Sequence, residues 1–405
     1  MSAAASNIVS KSDRSSVMGE RPFTQDNWLT PPHNRDSFQH LQSLFPTARL
    51  RRGQAVPSPL PSAPEEVSHI QITGIDGEPR SLQTMLDETY TDALLIARNG
   101  TLIHERYCSG MQADSLHLLN SISKSFLGML AGILVAERTI DPEVLVTTYA
   151  PYLAGSAFEK TTVAQVLDMT AAVRFSEDYA IGDEDFWVET AVIGWRPDLA
   201  DRANTESLKA FAAARTETEQ ENGAGFHYRT LLTNIVAMVV EGAAKAPVQT
   251  LMEEKLWQKL RPEHDGNVVL DATGFPYFGA GMSVTARDLT RFGQLLLNDG
   301  KVGDEQVVPA EWVSGTRAGS DQRREHFAAT DYALLLPNWH YQNQTWACGP
   351  EGLLVCIGIF GQTVYVHKPS GLVITKLSTH PEPANDMLYA NTFQMMRALV
   401  EGLAG

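Results

Sequence analysis

The chain has 405 residues, 43% hydrophobic and 20% charged, and 32 lysines and arginines against 48 aspartates and glutamates give a formal net charge of −16. This length suits one large domain or two interlocked ones, and the ordinary composition excludes collagen-like, disordered and disulfide-scaffold classes. A net acidic surface argues against nucleic acid or anionic membrane as partner, without naming a substrate.

In chain order, residues 1–24 are rich in Ser and Ala and are expected to be disordered. No apolar secretory run is seen there. Residues 25–65, punctuated by Pro31, Pro32, Pro57, Pro59, Pro61 and Pro64, read as an extended arm over the body of the protein. A hairpin follows: strand 93–98, an Asn99-Gly100 turn, strand 101–107. Residues 121–137 are apolar almost all round, which predicts a central buried helix, with Gly128, Ala131 and Gly132 allowing close neighbours. Its apolar run, 126–136, is too short for the roughly 20 residues that cross a bilayer. Residues 160–280 are mostly helical by pattern, Thr162 capping one helix and 231–242 forming another, and 286–298 is an amphipathic helix ending at Asp299-Gly300. Strands are expected at 353–359, 362–367 and 372–377, then a closing helix at 391–403. Strands at both ends with helices between them give an α+β fold. Its sheet subdomain combines 66–120 and 281–405, a mostly helical subdomain spans 121–280, and the active site is expected at their interface. Cys108, Cys348 and Cys356 form no metal-type set and read as reduced thiols of a cytoplasmic protein, although the spacing of the last two admits a clip.

Ser121 and Lys124 stand at i and i+3, so on a helix they share a face. A lysine entering the most apolar helix is desolvated, which lowers its pKa, and a neutral amine can take the proton of Ser121 and make it a nucleophile. Ser123 and Ser125 have no lysine one turn later. Tyr228, just before a helical stretch, can act as a phenolate-type base or relay. Gly358 and Gly361, read as lying within a strand, mark close backbone approach, and a strand N–H there with the N–H of Ser121 would make an oxyanion hole. Each feature alone also has a plain structural reading: a capping serine, a core tyrosine, a glycine bulge. The eleven histidines are scattered and no glycine-rich nucleotide loop occurs, so no metal or cofactor is expected.

The order Ser-x-x-Lys, Tyr, Gly-rich segment resembles the serine β-lactamase and penicillin-binding-protein superfamily, in its class C and esterase branch. Thr162 to Thr170 and Ser283 to Leu289 support this. Pro31 to Arg35, Glu88 to Ala93, Glu177-Asp178-Tyr179, Gly194-Trp195-Arg196 and Ile357 to Gln362 are similar to the 6-aminohexanoate-dimer hydrolase family. The resemblance implies a lactamase-type fold, an antiparallel sheet flanked by helices, and acyl transfer through a serine ester. It implies Ser121 as nucleophile, Lys124 as base and Tyr228 as proton relay, with the N–H groups of Ser121 and Ile359 as oxyanion hole. Tyr179 would donate a hydrogen bond to the substrate, with Thr190, Trp195, Gly279 and Phe360 also around it. The expected partner is a small ester or amide, with a homodimer also admitted. Three departures stand out. Thr230 replaces a usual Asn or Ser; Ile359-Phe360-Gly361 replaces a Lys- or His-bearing strand motif, which disfavours β-lactams; and Thr190 replaces a carboxylate that holds an ammonium end in nylon-oligomer-degrading relatives. Thr190 therefore predicts weak binding of that end, unless Asp183, Glu184, Asp185 or Glu189 supplies the charge.

Overall fold

The computed structural model describes residues 23–403 except Ile181 and Asp183. The expected disordered segment lies outside the described residues but for Phe23 and Thr24, and Phe23 is buried and stacked on His40.

Asn99 and Gly100 both take positive φ, 48° and 85°, the turn geometry that matches strand twist, and they join strands Thr91–Arg98 and Thr101–Tyr107. That hairpin forms one edge of a seven-stranded antiparallel sheet. Its remaining strands come from the far end of the chain, in spatial order His340–Gln342, Thr345–Cys348, Leu353–Gly358, Gln362–His367 and Leu372–Ser378, the last pairing with Thr91–Arg98. A four-stranded sheet has the order Thr47–Leu50, Gly266–Val269, Met282–Thr285, Leu116–Leu118. The arm is thus more than an extended cover, because it contributes the edge strand 47–50. One strand of the same small sheet, 266–269, also falls within the stretch expected to be helical.

The central helix, Ile122–Ala136, is buried along nearly its whole length. A Cβ at Gly128 would lie 2.1 Å from Asn343 O, and one at Gly132 would lie 2.5 Å from the Trp312 indole, so these glycines set how closely the neighbours pack. On another face Phe126 stacks on Phe292 of the Ala286–Leu297 helix at 3.8 Å between centroids. Truncating a buried ring such as Phe126 to Ala costs about 3–5 kcal/mol. The second buried helix, Thr230–Ala244, packs beside the central one. Thr162 and Gln165 form a reciprocal capping box on the short helix Val163–Leu167. All three cysteines are unpaired thiols. No single helix among the described residues is long and apolar enough to cross a membrane.

Candidate active site

Ser121 is the N-cap of the central helix, and one turn later Lys124 is fully buried beneath it. Lys124 Nζ donates to Ser121 Oγ at 2.8 Å, Thr230 Oγ1 at 2.9 Å and Gly279 O at 2.6 Å. Desolvation lowers the amine to about 8, with Glu177 and Glu189 pulling the other way. The other two serines of this turn are engaged elsewhere. Ser123 Oγ donates to Asn120 O at 2.7 Å and accepts from Met282 N, and Ser125 Oγ donates to Gln344 O at 3.0 Å.

Tyr228 lines the same cavity as Ser121, and its ring lies 5.1 Å from Lys124 Nζ. Arg229, next in sequence, anchors it: this buried guanidinium donates to Ala171 O and Phe175 O and pairs with Glu219. Burial and the nearby Glu177 hold the Tyr228 hydroxyl well above its ordinary range. This corrects the phenolate-type reading: at neutral pH Tyr228 carries its proton and can pass it on, but is not itself a standing base.

Glu177 is a residue whose part sequence reasoning missed, although it stands in the Glu177-Asp178-Tyr179 segment. Its carboxylate accepts from Thr230 N at the start of the second buried helix, from Thr230 Oγ1 at 2.6 Å and from the Tyr179 hydroxyl at 2.6 Å. Hydrogen bonds therefore run Lys124 to Thr230 to Glu177. A threonine hydroxyl serves where Asn or Ser was expected, and the carboxylate also caps the helix.

The Ile357–Gln362 segment is a bend between strands rather than the interior of one. Leu353–Gly358 ends, Phe360 and Gly361 take φ of 62° and 90°, and the next strand starts at Gln362. A Cβ on Gly358 would come within 2.4 Å of Leu119 O and 3.1 Å of Ser121 N, so a glycine here lets the strand end lie against the start of the helix. Asn120 Nδ2 donates to Ile359 O at 2.9 Å, tying the two segments together.

Ser121, Tyr179, Tyr228 and Ile359 line one cavity of about 120 Å³, walled further by Tyr332, Leu335, Trp346, Tyr389 and Phe393. The other sequence-expected substrate residues are not in this lining. Thr190 is fully buried and its hydroxyl donates back to Trp187 O at 2.8 Å. Trp195 is packed edge-on against Trp28 and Tyr277, in the contact between arm and body. Gly279 acts through its carbonyl on Lys124. Phe360 turns its ring onto Phe38 at 5.2 Å. Tyr179 lines the cavity but donates its proton to Glu177. Of the nearby acids, Glu189 points into the interior, where it is bonded by Asn234 and Tyr277 and raised to about 8 by burial; Asp183 lies outside the described residues.

The β-lactamase family model matches residues 82–397. The chain therefore belongs to the β-lactamase family, and it is a serine hydrolase of that fold. Within the family it is 34% identical over 363 residues, 89% of each chain, to the 6-aminohexanoate-dimer hydrolase of Paenarthrobacter ureafaciens. A Bacillus anthracis protein assigned as a 6-aminohexanoate-dimer hydrolase superposes with a TM-score of 0.83 at 24% identity, covering 95% of this chain and 98% of the other. EstCE1, described as a hydrolase with promiscuous acyltransferase activity, has a TM-score of 0.57 at 17% identity, covering 78% and 96%. These two likenesses concern the fold.

Proposed function

We propose that the protein cleaves small carboxylic esters and linear amides of the 6-aminohexanoate-oligomer type through an acyl-enzyme on Ser121. The observation that carries this reading is a desolvated lysine amine 2.8 Å from a serine hydroxyl that opens onto a cavity. Neutral Lys124 takes the Ser121 proton as Oγ attacks the carbonyl carbon. The oxyanion forms against the backbone N–H groups of Ser121 and Ile359. Tyr228 gives its proton to the leaving oxygen or nitrogen and is reprotonated from Lys124, after which water repeats the sequence on the ester and frees Ser121. Thr230 and Glu177 hold Lys124 aimed at Ser121, and Tyr179 holds Glu177.

Esters are the better substrates in this reading, because their leaving group departs without full protonation by Tyr228. β-Lactams are poor ones, since the 359–361 segment has no cation to grip their carboxylate. The setting we propose is cytoplasmic, without cofactor, nucleic acid or membrane, with a homodimer as the assembly to test.

The test combines a fluorophosphonate probe with a panel of short-chain p-nitrophenyl esters, aminohexanoate dimer and a chromogenic cephalosporin. Labelling of Ser121 with ester turnover is expected. An unlabelled protein that still binds substrate would mark a non-catalytic binding protein. Acyl transfer to added alcohol outrunning hydrolysis would mark an acyltransferase, the activity described for EstCE1.

A further inference from the structure

Tyr389 is part of the wall of the cavity above Ser121, and its buried hydroxyl is engaged on backbone. The closing helix Asp386–Leu403 brings it there. Asn385 Oδ1 accepts from Leu388 N at 3.1 Å and Asn385 O accepts from Tyr389 N at 3.0 Å, which fixes the first turn of that helix. The Tyr389 hydroxyl donates to Gly358 O at 2.8 Å and accepts from Gly361 N at 3.2 Å. One side chain thus bridges both ends of the bend that carries Ile359 and Phe360. Burial keeps the phenol proton in place. Phe360, at φ 62°, lies in the left-handed region that a residue with a side chain disfavours, so the bend needs support from outside. Further support comes from Pro383 O, which accepts from Phe360 N at 2.9 Å, and from His380 N, which donates to Phe360 O at 3.1 Å.

Gly358 O and the Ile359 N–H belong to the same peptide group. In a trans peptide the two point in opposite directions, so a donor that fixes the oxygen also aims the N–H. The same hydrogen bond polarises the amide and makes its N–H a stronger donor. The next peptide is held likewise, with Ile359 O accepting from Asn120 Nδ2 at 2.9 Å and from Gln362 Nε2 at 3.3 Å. We propose that Tyr389 is a positioning residue for the oxyanion hole, its hydroxyl holding the Gly358–Ile359 peptide so that the Ile359 N–H is aimed at the carbonyl oxygen of a substrate on Ser121. This rests on the reading that the N–H of Ile359 is one of the two oxyanion donors. Full negative charge is present on that oxygen only during reaction, so a misaimed N–H lowers kcat and leaves binding nearly unchanged.

The test measures kcat and KM for p-nitrophenyl acetate and for its thiono analogue, in which sulfur replaces the carbonyl oxygen, in the wild type, Tyr389→Phe and Thr392→Val. Phenylalanine keeps the ring in the wall and removes only the hydroxyl. Thr392→Val removes another buried hydroxyl of the same helix, one that donates to Leu388 O, and reports what a purely structural loss does. Tyr389→Phe should lower kcat for the oxygen ester about 10- to 100-fold, with KM changing less than about 3-fold. The thiono ester should lose less, because a sulfur anion gains little from aimed N–H donors, so the ratio of the two substrates narrows. Thr392→Val should leave that ratio alone. If Tyr389→Phe keeps the wild-type kcat, or lowers both substrates by the same factor, the proposal is overturned. If the wild type turns over neither substrate, the hydrolytic reading has failed, and nuclear magnetic resonance of protein carrying ¹⁵N-isoleucine decides the clip. The Ile359 amide signal, identified by its absence from Ile359→Val, should move in Tyr389→Phe and stay put in Thr392→Val; an unmoved signal in Tyr389→Phe overturns the proposal.

Discussion

Two lysines of this protein look alike by every local measure. Lys124 and Lys376 are both fully buried, burial lowers them to about 8 and about 7, and each ammonium donates to a serine hydroxyl, Ser121 and Ser378. The surroundings separate them. Lys376 also donates to Thr89 O at 3.1 Å, and nearby Asp92 is shared by Arg35, His117 and Thr379. Ser378 is sealed in the sheet, its N–H and C=O both taken by the Gln362 side chain. Ser121 instead faces a cavity, with the end of a strand close to its N–H and a protonated tyrosine beside it. A low-pKa amine beside a serine is therefore not a reactive site by itself. It also needs an opening for a carbonyl and donors for the oxyanion.

The largest test of that contrast is removal of the hydroxyls. Ser121→Ala should abolish turnover and fluorophosphonate labelling, whereas Ser378→Ala should keep both; a Ser121→Ala protein that still forms an acyl-enzyme by mass would break the comparison. Next come the amines. Lys124→Arg should lower kcat by about 10²–10⁴, because guanidinium cannot accept a proton at working pH. In the wild type, kcat/KM should rise with pH and level off above about 8, since Lys124 must lose its proton to serve as base. Lys376→Met should leave that limb where it is, and a displaced limb would assign the titration to the wrong lysine. Gly358→Ala should cost about 10- to 100-fold in kcat with a smaller change in KM, by pushing the strand end away from Ser121.

The smallest effect concerns Glu189. Its folded pKa of about 8 lies above its ordinary value of 4.5, so the folded state holds a proton that the unfolded state gives up. Stability from this group is fully present below about 4.5 and is lost as pH rises toward 8. Glu189→Gln lacks that slope, so its Tm should gain on the wild type between pH 5 and pH 9, while a constant difference would count against a protonated Glu189.

Local chemistry was legible in the sequence where it depends on one helical turn. Ser121 and Lys124 needed only the i, i+3 spacing, and the Asn99-Gly100 hairpin needed only its turn. Thr230, Gly279 and Glu177 meet Lys124 from three distant segments, and no local pattern reports that meeting. Glu177 could have been suspected, because it stands two residues before Tyr179 in the Glu177-Asp178-Tyr179 segment that carries the resemblance. Thr190, Trp195 and Phe360 were placed near the substrate by the resemblance. In the fold, the Thr190 hydroxyl is satisfied by its own helix, Trp195 by the arm's aromatic packing, and the Phe360 ring by the positive-φ bend that turns it onto Phe38. The arm's strand 47–50 was hidden by its prolines, and its pairing with 266–269 is a long-range match.

The Thr91–Arg98 strand finds its second neighbour only in Leu372–Ser378, almost at the other end of the chain. A polypeptide emerging from the ribosome must hold that early hairpin half-paired until residues 372–378 have been made, a costly wait for a distant contact. Ile359 and the strand before it are also made late. A product that stops short of them carries Ser121 and Lys124 but lacks the Ile359 N–H of the proposed oxyanion hole, so under that proposal such a partial chain should be chemically silent.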